Sequence, residues 1–356
     1  MSTRPSASAI AQLADKDRLA LEAPDAAQIL HAAQKLAQGS LVAFPTETVY
    51  GLGADACNPA ALASIYAVKG RPSNHPVIVH LAPDSDVHYW VSSLPAEAQL
   101  LIDKFWPGPL TLILPRAAHI SSAVSGGQTS IGLRCPSHPV AQSLLREFRL
   151  QMPGGHGGVA APSANKFGRV SPTTAAHVHA EFPELDESQL LILPGGASQV
   201  GIESTIVDLS RLSDGGAPHL LRPGHISSQE LSEVLQRPVL APDSDAPRVS
   251  GSLKAHYAPG TPVELVLRST LESRLSQPAA GRQVAVVLSP VGRAAAGYDI
   301  VQAGADADVY ARKLYALMRD LDTVGYDRIL LELPPDTPDW AAVRDRIGRA
   351  AAAFEN

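Results

Sequence analysis

Cysteine is almost missing from this chain. Cys57 and Cys135 are the only two among 356 residues. Neither sits in a C-x-x-C pair, so neither a zinc site nor a disulfide framework is supported. Reduced thiols of a cytosolic protein are the ordinary reading. Charge is also sparse, at 18%, too little for a disordered or coiled-coil chain. The net charge of −6 argues against a strongly basic nucleic-acid binder, though a local basic patch stays open. No run approaches the ~20 apolar residues of a spanning helix. The opening "MSTRPSASAIAQLADKDRLA" has no apolar h-region, so it is not expected to be a secretory signal. Its Ser/Ala-rich composition reads as a loosely held extension over residues 1–23. A cytoplasmic protein without a membrane segment is expected. The Walker P-loop, the nucleophile elbow and the H-E-x-x-H zinc helix are absent too, which weakens the common hydrolase readings.

What is present is enough apolar material, 45%, to bury a real core in each of two domains. Glycine (27) and proline (30) are plentiful, so turns are many. Helical spacing runs over 24–38, placing Ile29, Leu30, Ala33 and Leu36 on one face, with Gly39 just beyond the end. Further helices are expected over 59–70, 95–106 and 138–148. Strands are expected at "LVAF", 75–82, 110–115, 129–136, "VAAPSAN", "QLLILPGG", "STIVDLS" and "HLLRPG". This interleaving gives an α/β domain over 24–235, with a mixed sheet. The Pro-rich stretch 236–260 is a linker candidate. Beyond it, 261–356 alternates strands and helices as a small Rossmann-like α/β unit. It carries no G-x-G-x-x-G, so a dinucleotide site is not expected there.

The chemistry lies in polar clusters at the ends of apolar segments, where α/β sheets bind ligands. "FPTETVYGLG" (44–53) is either a strand-to-helix turn, with a threonine N-cap and Glu47 in the first helical turn, or one wall of a pocket. In "KGRPSNHPVIVH" (69–80), Lys69 and Arg71 flank the glycine that ends a helix. They form either a double cationic fork for phosphates or a solvated helix terminus. Arg134 closes an apolar strand in "SIGLRCP". Buried charge there needs a partner, either a carboxylate of a small ligand or an internal Asp or Glu. Ser163, Asn165 and Ser171 lie on the bend "APSANKFGRVSP", Ser204 begins "STIVD", and Arg222 precedes Pro-Gly. The aromatic pair His256 and Tyr257 stands in the linker, where aromatics are seldom found unless the segment docks. No two of the 12 histidines show metal spacing with a carboxylate.

Taken in order, "PTETVYGLG", "KGRP…HPVIVH", "GLRCP", "PSAN" and "ESTIVD" resemble the YrdC-like family of threonylcarbamoyl-AMP synthases. "SGSLKAHYAP" and the C-terminal unit resemble its long, two-domain form. The resemblance covers residue ~25 to the end. It implies a YrdC-like mixed twisted sheet with helices. It also implies an enzyme joining L-threonine, bicarbonate or CO₂, and ATP into threonylcarbamoyl-AMP, with release of pyrophosphate. Mg²⁺ would travel with the ATP. A downstream threonylcarbamoyl transferase, with tRNA, would take the product.

By position, the resemblance implies threonine contacts at Thr48, His80, Arg134, Ala161 (backbone) and Ser204. It puts Lys69, Arg71, Ser163 and Asn165 in the catalytic signature. It places these four, with His75, Ser130, Ser171 and Arg222, on the nucleotide and phosphate side, with His256 and Tyr257 as an ATP-contacting lid over it. The glycine-rich "GGHGG" and the N-terminal extension have no match. A double-stranded RNA-binding module of the same fold is the alternative, disfavoured by the net charge. A carbamoyl-transfer relative with a zinc-finger segment would need more cysteines.

Overall fold

The computed structural model describes residues 23–355. The expected N-terminal extension falls almost wholly outside them. The chain divides into an N-terminal unit, running through Phe167 and again over Pro172–Ser252, and a C-terminal unit of Leu253 onward that includes Gly168–Ser171. The division thus falls inside the Pro-rich stretch 236–260.

The N-terminal unit is built on strands β1 (Leu41–Phe44), β2 (Gly51–Asp55), β3 (Ile78–His80), β4 (Leu110–Pro115), β5 (Ser130–Arg134), β6 (Val159–Ala160), β7 (Leu190–Ile192), β8 (Thr205–Asp208) and β9 (His219–Arg222). They form one nine-stranded sheet in the order β7-β1-β2-β6-β3-β5-β4-β8-β9. The pairing is mixed: β1–β7, β3–β5 and β4–β8 are parallel and the others antiparallel. Alternation along each strand feeds two cores. On one face Val42, Phe44 and Val159 pack with helices α1 (Ala26–Ala37) and α4 (Pro139–Gln151). On the other, Ala43, Leu52, Val79, Leu112, Leu133 and Val207 pack with α2 (Pro59–Lys69) and α3 (Ala96–Phe105), and with residues of α5 (Ala175–Glu181) and α6 (Ser228–Leu235). Both faces are covered, which is why these strands read as apolar runs.

Local chemistry sets the helix ends. Asp25 caps α1 in a reciprocal capping box with Gln28, and Asn58 caps α2 ahead of Pro59. Gly70 ends α2 in the left-handed region, φ 61°, as the sequence leads one to expect. Leu30, however, does not join the buried face of α1; it is exposed, and Ala32 takes its place.

"FPTETVYGLG" is not a strand-to-helix turn. Pro45–Tyr50 form a buried loop, and Gly51 opens β2, which runs back antiparallel to β1. The sequence signal for β2 was weak because "GLGAD" is poor in β-branched residues. Its glycines have a packing reason: a Cβ at Gly53 would lie 2.8 Å from both Phe44 and Val159.

The C-terminal unit has strands β10 (Val263–Val266), β11 (Gln283–Val287), β12 (Tyr298–Gln302) and β13 (Arg328–Glu332), all parallel, in the order β10-β13-β11-β12. Helix α8 (Ala307–Val324) buries Tyr310, Leu314, Met318 and Leu321 at helical spacing. Two short elements escape the sequence: β12, and α7 (Arg268–Leu275), of which only Leu271 and Leu275 are buried. His256 and Tyr257 belong to this unit. Tyr257 has φ 61° and is buried. Its ring lies 5.5 Å from the guanidinium of the fully buried Arg346 and 5.7 Å from the Tyr315 ring.

Candidate functional site

The site is a row of paired positions across the sheet. His80 on β3 is aligned with Arg134 on β5, and Arg134 with Thr111 on β4. Directly paired residues share a face, so three polar side chains meet where their strands are otherwise apolar. Ser204, just before β8, completes the row: its Oγ lies 2.8 Å from Thr111 Oγ1. All four are buried.

Arg134 is the centre. Its Nη1 donates to Thr48 Oγ1 at 2.8 Å and its Nε to the Gly108 carbonyl at 3.4 Å. Its Nη2 stands 2.7 Å from Glu47 Oε1. The partner required at this strand end is thus an internal glutamate, and Glu47 is no helix-terminus carboxylate. Glu47 is 3% exposed, and it also accepts from the Ser137 amide at 3.1 Å. Burial, and then the charge of Arg134, push the His80 imidazole down to about 3. His80 is therefore neutral at physiological pH, a hydrogen-bonding group rather than a cation.

Three sequence motifs are braced together by backbone. Leu52 N donates to Pro162 O (2.7 Å) and Ala164 N to Tyr50 O (2.8 Å), which ties "PSAN" to "VYGL". Phe167 N donates to Lys69 O at 2.8 Å. Lys69 Nζ donates to the carbonyls of Ser163, at 2.6 Å, and Asn165. Lys69 and Arg71 are therefore not a solvated helix terminus. Both are buried, and burial, followed by the Arg71 charge, holds the Lys69 ammonium well below its usual range. Arg71 Nη2 donates to Pro76 O (2.7 Å) and Ser250 Oγ (3.1 Å). His75 packs edge-on against Phe167 at 5.4 Å.

Arg222 reaches the same region from β9. Its Nε and Nη2 donate to Ser204 O at 3.0 and 2.9 Å, and its Nη1 donates to Ser250 O at 2.9 Å. Ser250 thus joins Arg71 to Arg222. Beside it, Val249 packs on Ile113, Ile206 and Leu221 of the sheet. It leaves a cavity of only about 10 Å³ next to Ser130 and Gly132.

The N-terminal unit therefore gathers Thr48, Lys69, Arg71, His75, His80, Ser130, Arg134, Ala161, Ser163, Asn165, Ser204 and Arg222. Ser171, His256 and Tyr257 fall in the C-terminal unit. Three participants were missed from the sequence. Thr111 had a signal, a hydroxyl in the otherwise aliphatic "LTLILP". Glu47 and Ser250 had none, because their partners are distant in the chain. Among the described residues no cluster of three His, Cys, Asp or Glu is placed to hold a metal, and no helix is long and apolar enough to cross a membrane.

Fold and site define a two-unit α/β protein, with buried cations and hydroxyls concentrated on one twisted mixed sheet. The chain belongs to the Sua5, YciO and YrdC family, described as Telomere recombination, which matches residues 34–224. Residues 226–352 match the domain described as Threonylcarbamoyl-AMP synthase, C-terminal domain. Threonylcarbamoyl-AMP synthase of Pyrococcus abyssi is 34% identical over 335 residues, covering 90% of this chain and 93% of its own. The protein of that name from Bacillus subtilis is 37% identical over 338 residues, covering 91% and 93%. The crystal structure of P. abyssi Sua5 complexed with L-threonine superposes with a TM-score of 0.77 at 32% identity, over 91% of this chain and 94% of that one.

Proposed function

We propose that the protein is an enzyme that makes threonylcarbamoyl-AMP from L-threonine, bicarbonate or CO₂, and ATP. The amine nitrogen of threonine bonds to the carbon, giving a carbamate, and water leaves when bicarbonate is the source. A carbamate oxygen then attacks the α-phosphorus, and pyrophosphate departs with the electrons of the broken P–O bond. The observation that carries this reading is the concentration of Lys69, Arg71, Arg134 and Arg222 in one unit, in a chain whose full-length relatives bear this enzyme's name.

The roles follow from chemistry. Arg134, already paired with Glu47, is assigned to threonine with its neighbours Thr48, His80 and Ser204, which offer neutral polar groups, beside the Ala161 backbone. Lys69 and Arg71, with Ser163 and Asn165, serve the phosphates and in-line transfer; His75, Ser130, Ser171 and Arg222 serve the nucleotide. Guanidinium holds phosphate bidentately and ammonium acts as a point charge. Catalysis here is positioning and charge neutralisation. Mg²⁺ arrives on the phosphates as part of the substrate. Carbamates decompose in water, so a covering segment protects the loaded site; the stretch through His256 and Tyr257 is the candidate lid. A downstream transferase then takes the product toward tRNA.

The test is direct. The protein is incubated with ATP, Mg²⁺, bicarbonate and single amino acids. Pyrophosphate is expected only with threonine. Equal release with serine, or with no amino acid, overturns the proposal.

A further inference from the structure

The hydroxyls of the opening loop have a fixed polarity. Thr46 Oγ1 lies 2.6 Å from the Val49 carbonyl oxygen. A carbonyl oxygen can only accept, so the single Thr46 proton is committed there. Thr46 Oγ1 also lies 2.9 Å from Thr48 Oγ1. With its own proton spent, Thr46 must be the acceptor of that bond, and Thr48 the donor. Thr46 further accepts from the amides of Thr48 (3.3 Å) and Val49 (3.2 Å), which pins its oxygen in place. On its other side Thr48 Oγ1 receives Nη1–H of Arg134 at 2.8 Å, and arginine never accepts. The chain of protons therefore runs one way, from Arg134 to Thr48 to Thr46 to the Val49 carbonyl. Thr48 has no proton left to give. It keeps one lone pair without a partner among the described residues.

Beside it, Glu47 Oε1 and Arg134 Nη2 are 2.7 Å apart, yet neither is aligned in a hydrogen bond. A buried, incompletely satisfied group of this kind calls for an explanation. The Glu47 oxygen is a second acceptor facing the same corner.

We infer that Thr46 sets the specificity of this corner by locking the Thr48 hydroxyl as an acceptor, so that Thr48 reads a hydrogen-bond donor on the amino-acid substrate. Thr46 is a positioning residue: it acts through Thr48. The inference rests on the reading that this corner receives threonine. Two groups of threonine are donors, the amine and the side-chain hydroxyl. A site built to pair with such a group rejects an analogue that lacks it, because a buried polar atom is then left bare.

The experiment is calorimetric titration of the full-length protein with L-threonine and with L-2-aminobutyrate, which lacks the hydroxyl. Thr46→Val keeps the shape and removes the acceptor, so the Thr48 proton is released and can face the ligand. L-Threonine is expected to bind about tenfold more weakly to Thr46→Val, the usual worth of one such bond, with ATP affinity unchanged. Thr46→Ser restores the hydroxyl and should restore binding. If the penalty persists with L-2-aminobutyrate, the donor is the amine; if it vanishes, the donor is the hydroxyl. Equal L-threonine affinity in wild type and Thr46→Val overturns the inference and leaves the substrate reading standing. Absence of L-threonine binding to the wild type overturns both. Should Thr46→Val fail to fold, Thr46→Cys, whose sulfur is only a weak acceptor, takes its place with a smaller loss in the same direction, and equal L-threonine affinity again overturns the inference.

Discussion

Glu47 shows how far single residues could be read in advance. A buried arginine at the end of an apolar strand has to find a negative partner, so the demand at Arg134 was legible. The supplier was not, because Glu47 sits in a loop distant in sequence, and nothing local distinguishes it from a helix-start carboxylate. Removing one member of a buried pair leaves the other charge uncompensated. Glu47→Leu is accordingly expected to destabilise the N-terminal unit by about 3–5 kcal/mol, read from urea unfolding. Arg71→Ala is expected to weaken ATP by about 1.5–3 kcal/mol, the worth of a charged hydrogen bond, by equilibrium binding; unchanged affinity would remove Arg71 from the phosphate site. His80 supplies a pH dependence. Its imidazole is depressed from 6.5 to about 3, so between these values the unfolded chain holds the extra proton. Stability then falls as pH drops through that window, on the order of 1 kcal/mol per pH unit, and is flat above it. His80→Gln should melt with a shallower acid slope by calorimetry; parallel slopes would show that His80 does not carry the effect.

At the scale of elements, capped helices read well and short strands poorly. Asn58 ahead of Pro59, and Gly70 at the far end, bracket α2 by chemistry that needs no tertiary context. By contrast β2 and β12 escaped, and of the strand read at "VAAPSAN" only the two residues of β6 are in the sheet. The glycine-rich run before it had no sequence explanation, and the structure supplies one. Gly154 and Gly155 adopt φ of 68° and 70°, which favours glycine. At Gly157 a Cβ would lie 2.8 Å from the Arg149 Cα, and at Gly158 2.5 Å from the Trp90 ring. The run is a packing necessity at the entrance to β6. Gly158→Ala is expected to cost about 1–3 kcal/mol by overpacking. Thermal melting that matches wild type would show that Trp90 yields without penalty.

At the scale of the whole molecule, two units were evident from length and the Pro-rich stretch, but the contacts made by that stretch were not. A Pro-rich segment without periodicity gives no hint that Val249 is buried on the sheet or that Ser250 bonds two arginines. The structure divides after Ser252, so a chain ending at Ser252 keeps these contacts. The truncated chain is expected to unfold cooperatively and to lose most pyrophosphate release. Full activity would dismiss the lid.

The two residues of β6 have one more consequence. They bridge β2 and β3, through Ala54 and Asp55 on one side and Val79 and His80 on the other, and Ala56 N to Gly158 O, Ala161 N to Ile78 O and Leu52 N to Pro162 O lengthen the join between β7-β1-β2 and β3-β5-β4-β8-β9. The large sheet is thus two leaves sharing one short seam. Thr48 hangs from one leaf and Arg134 from the other, so an amino acid gripped by both is a stitch across the seam. Amide deuterium uptake at Val159 and Ala160 should slow when L-threonine is added, while uptake at the outer strand β9 stays as it was.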